Sequence, residues 1–406
     1  MKKRMGPWFI ISGAVMLVIV IPVIIIPRFL NFWQQPLGPS LGFENTLPPM
    51  DSGPSIIQLP SETPTQSTNP EPISTLPDTS DPSPTLTPVT LPTFTPHALC
   101  GDNPSMLILA IGIDYRKGTY TYGLADVIRL VQVDFMTPGV RVLSIPRDLW
   151  VEVPGISDHY GITHSKLNQS YFYGTPAMGY YDGPGGGAGL LARTIDLNFG
   201  AQPEHYGVVN MNILIEMIDA IGGVNIYLNS EIDARDSEES EEMWKIYEAG
   251  WNHLDGKRAV YYARIRQLDS VFGRMDRQTE ILCAVKNKLL SPSAIRGIPE
   301  MIVAFSDNVL TDLSPAQLSQ LACLAPQLSP ENIIFARFPE EDLHGTTIYN
   351  PNMKINDFIW DVDNATIRRY VADFLAGTWP PPPVEGQTHD THEGTTQQLC
   401  PVYPGR

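Results

Sequence analysis

The chain has 406 residues and a formal net charge of -17. Charge of that sign excludes general nucleic-acid binding, which needs a basic footprint, so an anionic partner must be met at a local cationic site. Composition divides the chain more sharply than length does: an apolar start, a proline-rich stretch, and a remainder large enough to bury a core without metals or staples.

Lys2, Lys3 and Arg4 precede an apolar run from Trp8 to Pro27, about the 20 residues that a helix needs to cross a bilayer. The basic flank predicts residues 1–6 in the cytoplasm and residues 7–28 as a transmembrane signal anchor. A cleaved signal peptide fits less well, because the run exceeds the usual apolar region and no small-residue cleavage site follows. Residues 29–99 are rich in Pro, Ser and Thr, as in "PSETPTQSTNPEPISTLPDTSDPSPTLTPVTLPTFTP", and read as a semi-extended linker. Residues 100–377 then form one extracytoplasmic domain, and "WPPPPVEG" opens a proline-rich tail, 378–406. This layout predicts a single-pass protein of the cell membrane.

Four cysteines lie in the exported part, where disulfides are permitted. Of the three connectivities, Cys283–Cys323 with Cys100–Cys400 is preferred: the first two fall on expected helices, the last two at domain margins. No Cys/His cluster suggests zinc.

In the globular part, "SMLILAIGI", "VIRLVQVDF" and "VRVLSIPRD" read as strands, the last after the turn signal Thr137-Pro138-Gly139. "GLLARTIDLNFG" has helical spacing and stops at Gly200. "HYGVVNM" reads as a strand, "NILIEMIDAIGGV" as a helix closed by Gly222-Gly223, and "VNIYL" as a strand. Helices follow at "RQTEILCAVKNKLL", "PEMIVAF", "SPAQLSQLACLA" and "NATIRRYVADFLAG". The alternation predicts an α/β domain with a largely central sheet.

Charged residues gather at element ends. Asp114 and Arg116 follow the first strand, Asp126 precedes the second, and Arg147-Asp148 close the third; such ends commonly form ligand sites. In "YYARIRQLDSVFGRMDRQ", Arg264 and Arg266 are two residues apart and would share one face of a strand. Arg274, Arg277 and Gln278 have helical spacing and form one ridge, with Gly273 allowing close backbone approach. Clustered arginines suit phosphate oxygens, which their planar forks bind bidentately. On the residues alone, a phosphate site and an internal salt-bridge network both remain open.

The blocks "LAIGID-R", "GLADVIRLVQVD", "VLSIPRDLWVEVPG", "KLNQSYFYG", "MIDAIGGV", "AGWNHLDGKRAVYYARIR" and "FGRMDRQ" resemble the LytR-CpsA-Psr family over residues 106–290. The resemblance implies a single α/β domain with a central mixed sheet flanked by helices, preceded by one transmembrane helix and a proline-rich stalk. It implies an enzyme that moves an anionic glycopolymer from a polyprenyl-diphosphate carrier to peptidoglycan or a related envelope glycan. Asp114 and Asp126 match the family's Mg2+ (or Mn2+) site. Arg147, Arg264, Arg266 and Arg274 match arginines around the diphosphate, and Arg277 with Gln278 completes the "RQ" motif. Lys166 and Asn168 match a positioning block, and Arg116 falls beside the first aspartate on the substrate side.

Two positions depart from the family pattern. Leu124 stands where the family usually has arginine, and Val271 where it usually has a carboxylate. Asp269 would return a carboxylate to the same side if the segment were extended. These departures keep two alternatives open: a non-catalytic module that binds prenyl diphosphates or wall glycans, and a hydrolase of the same diphosphate. Direct DNA binding is discarded, because about six residues before the membrane run are too few for a DNA-binding domain.

Overall fold

β1 (Ser105–Ile113), β2 (Ala125–Asp134) and β3 (Gly139–Ile145) form an antiparallel meander in the computed structural model. Asp134 closes its second turn, accepting from the amides of Met136 and Thr137 at 2.8 and 2.9 Å. The structure describes residues 34–43, 97–114, 120–235, 237, 241–265, 271–289, 309–350, 354–381, 397, 398 and 400. Residues 1–43 and 97–406 belong to one unit; the second, 44–96, lies outside the described residues. So do the expected membrane span, the helix at "PEMIVAF", and Arg116, Arg266 and Asp269. Among the described residues, no helix is long and apolar enough to cross a membrane.

After the meander come β4 (Trp150–Glu152), β5 (His164–Lys166), α1 (Leu167–Tyr173), α2 (Gly186–Phe199), β6 (His205–Asn210), α3 (Met211–Ala220) and β7 (Val224–Leu228). β8 (Ile232–Asp233), β9 (Ile246–Tyr247), β10 (Gly250–Leu254), α4 (Gly256–Tyr262), α5 (Val271–Leu289), β11 (Leu310–Thr311) and α6 (Pro315–Leu324) follow. The chain ends with β12 (Ile333–Arg337), the hairpin β13 (His344–Asn350) and β14 (Ile355–Asp361), α7 (Asn364–Ala376) and β15 (Gln397–Gln398).

The central sheet runs β11-β6-β1-β2-β3-β12-β15. β6 lies parallel to β1 and β12 parallel to β3, while the other pairs are antiparallel. The sheet is therefore mixed, as the resemblance implied. Strand alternation gives it two apolar faces. Leu109, Leu130 and Leu143 are buried on one, with Leu191 and Ile195 of α2 and Phe374 of α7. Met106 and Val133 meet Leu324 of α6 on the other, and Val142 meets Cys283 of α5. Helices thus cover both sides.

α5 joins two cores. Phe272 and Met275 enter the main one, whereas Ile281 and Ala284 enter a second with Ile218, Val224, Ile226 and Leu254. Gly200 ends α2 at φ 75° and Gly223 follows α3 at φ 75°, left-handed conformations that glycine adopts freely. The glycine stop signals thus coincide with the helix ends.

Three observations differ from the sequence expectations, and a fourth concerns a segment with no such expectation. First, the disulfides are Cys100–Cys323 and Cys283–Cys400, which corrects both preferred pairs. Cys323 is on α6, beside the domain's start, while Cys283 is on α5, beside the tail strand β15. Helix membership did not predict proximity, because α5 and α6 pack on different parts of the sheet.

Second, Tyr261 and Tyr262 belong to a helix, and Arg264 lies in the turn after it. Asp255 caps α4, accepting from the Arg258 amide at 2.7 Å, and Ala259 and Tyr262 bury its inner face. Arg264 is therefore not on a strand, and Arg266, expected to share its face, lies outside the described residues.

Third, residues 34–43, assigned to the linker by composition, pack on the globular unit. Leu41 is 1% exposed and sits in the main core. The Leu37 amide donates to the Leu313 carbonyl at 3.3 Å, and the Tyr206 hydroxyl donates to the Pro39 carbonyl at 3.0 Å. Fourth, the β13–β14 hairpin docks on the loop after β3: the Trp360 amide donates to the Asp148 carbonyl at 2.9 Å.

Candidate active site

β1 and β2 bring Asp114 and Asp126 to adjoining strand ends. The Asp114 amide donates to the Leu124 carbonyl at 3.2 Å, and its Oδ1 accepts from the Leu124 amide at 2.8 Å. Between those ends the register shifts, from Gly112 opposite Val127 to Ile113 opposite Ala125. Asp126 falls in the resulting bulge, a device that re-aims side chains at a strand end.

The bulge opens onto a narrow pocket bounded by the start of β2, the end of β3 and the first turns of α5. Asp126, Arg129, Ser144, Arg147, Arg274 and Gln278 line it. Four of these, Asp126, Arg147, Arg274 and Gln278, were expected at the site from sequence. They come from three motif blocks up to 152 positions apart, Asp126 to Gln278, so the fold gathers them. Arg274 is buried, 7% exposed.

Arg147 is the hinge of an ion-pair chain. It contacts the Asp126 carboxylate, and its Nε donates to Asp148 Oδ2 at 3.1 Å. Lys166 Nζ lies 3.3 Å from the other oxygen of Asp148 and 2.5 Å from Asp357 Oδ1. Burial alone would lower the pKa of Arg147, but Asp126 and Asp148 outweigh it and raise the pKa above the ordinary value. Asp148 is buried at 6% exposure, so its pair with Arg147 is not a solvated surface bridge.

Backbone bonds hold the loop that carries Arg147. The Leu167 amide donates to the Leu149 carbonyl at 2.8 Å, and the Asn168 amide to the Arg147 carbonyl at 3.0 Å. The first turn of α1 therefore fixes the loop after β3. Arg277 points elsewhere: its guanidinium donates to the Ile265 carbonyl at 2.6 Å. It ties α5 to the turn that contains half-buried Arg264. Neither Arg264 nor Arg277 lines the pocket.

Sequence reading missed three residues. Arg129, in the middle of apolar β2, is 3% exposed, and both terminal nitrogens donate to Thr279 Oγ1 at 3.3 Å. Burial lowers its pKa to about 10, with Asp276 opposing the shift, so it stays cationic at neutral pH. A charge inside a buried strand was the signal, since such charges persist only with partners. Ser144 pairs across the strands with Arg129 and carries no signal of its own. Asp357 lies in a hairpin outside every family block.

Asp114 and Asp126 supply hard oxygen donors, which suit Mg2+ or Mn2+ when phosphate oxygens and water complete the shell. Among the described residues, no group of three or more His, Cys, Asp or Glu side chains could hold a metal ion. Of the two expected metal ligands, Asp126 lines the pocket and Asp114 does not.

Comparison with known proteins gives a family and a fold for the chain. The family model of LytR_cpsA_psr matches residues 82–364. Over 227 residues, 55% of the chain, it is 32% identical to "Polyisoprenyl-teichoic acid--peptidoglycan teichoic acid transferase TagU" of Oceanobacillus iheyensis, spanning 64% of that protein. It is 27% identical over 214 residues, 52% of the chain, to "Regulatory protein MsrR" of Staphylococcus aureus, spanning 58% of its length. The fold is similar to that of B. subtilis TagV, with a TM-score of 0.50 and 24% identity over 67% of this chain and 97% of that one. A protein of Streptococcus agalactiae gives a TM-score of 0.51 at 22% identity, covering 65% of this chain and 87% of its own. By the extent of the family match and by the motif residues gathered at its pocket, the chain belongs to the LytR-CpsA-Psr family.

Proposed function

We propose that the protein is a membrane-anchored phosphotransferase. It moves an anionic glycopolymer from a polyprenyl-diphosphate carrier to a hydroxyl of peptidoglycan or a related envelope glycan. The observation that carries this reading is the pocket where Arg147 and Arg274 converge beside Asp126 and Gln278. The name of the Oceanobacillus relative, a polyisoprenyl-teichoic acid–peptidoglycan teichoic acid transferase, supports the same chemistry. The apolar run before residue 28 supports anchoring, with the domain outside the membrane.

In this reaction the acceptor oxygen bonds to the polymer-bearing phosphorus. The phosphorus–oxygen bond to the second phosphate breaks, and prenyl monophosphate leaves. Charge shifts onto that leaving group, and fixed cations in a half-closed site stabilise it without reorganising. Arg147 and Arg274 take this role, and Gln278 orients an oxygen by hydrogen bonding. A divalent cation held by Asp114 and Asp126 would add positive charge at the diphosphate. The carboxylate of Asp114 or Asp126 accepts the acceptor's proton. Lys166, Asp148 and Asp357 hold the Arg147 loop in place.

The test incubates the full-length protein in detergent with a labelled lipid-linked donor, a glycan acceptor and Mg2+. Label joined to acceptor through a phosphodiester, with equimolar prenyl phosphate, supports transfer. Free polymer phosphate indicates hydrolysis. Binding without turnover indicates a binding module, the reading that Leu124 and Val271 favour.

A further inference from the structure

The pocket wall holds two buried polar groups that the reading above leaves unused. Arg129 and Ser144 are direct cross-strand neighbours on β2 and β3, and both line the pocket. They are 3% and 2% exposed. Arg129 Nε and Ser144 Oγ have no hydrogen-bond partner among the described residues. Buried donors are nearly always satisfied, and leaving one unmade is costly. Two adjacent exceptions in one pocket, beside two further arginines, point to a ligand.

The surrounding chemistry fixes what that ligand is. Arg129 has Ala110 on its other flank, so its long side chain meets a small neighbour on that strand. Thr279 Oγ1 donates to the Met275 carbonyl at 3.0 Å, so it accepts from both terminal nitrogens of Arg129. The guanidinium is thereby held at its far end. Two carboxylates could repel an anion here, and both are paired: Asp126, which lines the pocket, with Arg147, and Asp276, which also acts on Arg129, with Arg337 at 3.4 Å. An oxyanion accepts from both donors and offsets the positive charge of Arg129, Arg147 and Arg274; a cationic group does neither.

We infer that Arg129 Nε and Ser144 Oγ form a two-donor subsite for a phosphate oxygen at the inner wall of the pocket. The proposal rests on the transferase reading and supplies a cation missing from it. Leu124 leaves the site one arginine short of the family pattern, and Arg129 restores positive charge from within β2. Its burial makes that charge act through a low dielectric, where it is felt most strongly.

The experiment is isothermal titration of the full-length protein with inorganic pyrophosphate and, separately, farnesyl diphosphate, at fixed salt. Wild type is compared with Ser144→Ala and Arg129→Lys. Ser144→Ala removes an unsatisfied buried hydroxyl, so a purely structural role predicts unchanged or higher Tm and unchanged affinity. The subsite predicts that Tm holds while affinity falls about tenfold, the worth of one hydrogen bond to a charged group. Arg129→Lys keeps the charge but loses the Nε donor, so it weakens binding to a similar degree. Equal losses for both ligands show that free phosphate chemistry suffices; loss for farnesyl diphosphate alone assigns the subsite to the lipid-borne form. Unchanged affinity in folded Ser144→Ala, or no wild-type binding of either ligand, overturns the proposal. Binding that depends on Ser144 in a protein that transfers nothing leaves the subsite standing and removes the transferase reading.

Discussion

Lys166 bridges to Asp357, with Nζ 2.5 Å from Oδ1, and so fastens the C-terminal hairpin to the Arg147 loop. The pair is largely buried, at 13% and 17% side-chain exposure, and Lys166 also holds Asp148. Breaking a buried pair strands the remaining charge. Asp357→Asn is expected to cost about 1–3 kcal/mol in urea unfolding. A double-mutant cycle with Lys166→Met should return a coupling of about 1 kcal/mol or more. Additive effects would show that the hairpin contact is idle.

Arg147 stands between two carboxylates at the pocket mouth. Arg147→Ala should lower kcat for transfer by about 10²–10³, the usual loss for one donor that stabilises developing negative charge. It also leaves Asp126 and Asp148 facing each other without their shared cation. Arg147→Lys recovers charge but not the forked geometry and should recover only part of the rate. A single-turnover assay separates the chemical step from binding.

Leu41 tests whether residues 34–43 are part of the folded unit. Leu41→Ala should destabilise it by about 2–5 kcal/mol, as for other large-to-small core changes, in urea unfolding of the full chain. A change below about 0.5 kcal/mol, typical of surface substitutions, would mean the segment is a passive linker.

The disulfides give a covalent check on topology. Non-reducing proteolysis and mass spectrometry should recover Cys100 joined to Cys323 and Cys283 joined to Cys400. Paired serine substitution at either bridge should cost about 2–4 kcal/mol. Recovery of Cys283 joined to Cys323 would contradict the placement of α5 and α6.

Much of the sheet is legible because β1, β2 and β3 are long β-rich runs with a clear turn signal. The glycine stops of α2 and α3 are equally plain. Local signals fail where distant contacts decide. Leu41 sits in proline-rich surroundings, yet the core beside Tyr206 and α2 buries it. Tyr261 and Tyr262 suit a strand by propensity, but the Asp255 cap and the second core make them helical. At the site, the family blocks located Asp126, Arg147, Arg274 and Gln278, whereas Asp357 reaches Lys166 only through a hairpin that no motif marks. Arg129 was visible as a charge in an apolar strand, but its partner Thr279 is 150 residues away.

A crystal structure of the protein with bound farnesyl diphosphate tests the central claim most directly. The account predicts the diphosphate in the pocket between β2, β3 and α5, within hydrogen-bonding distance of Arg147 and Arg274. A diphosphate bound away from both arginines would contradict it.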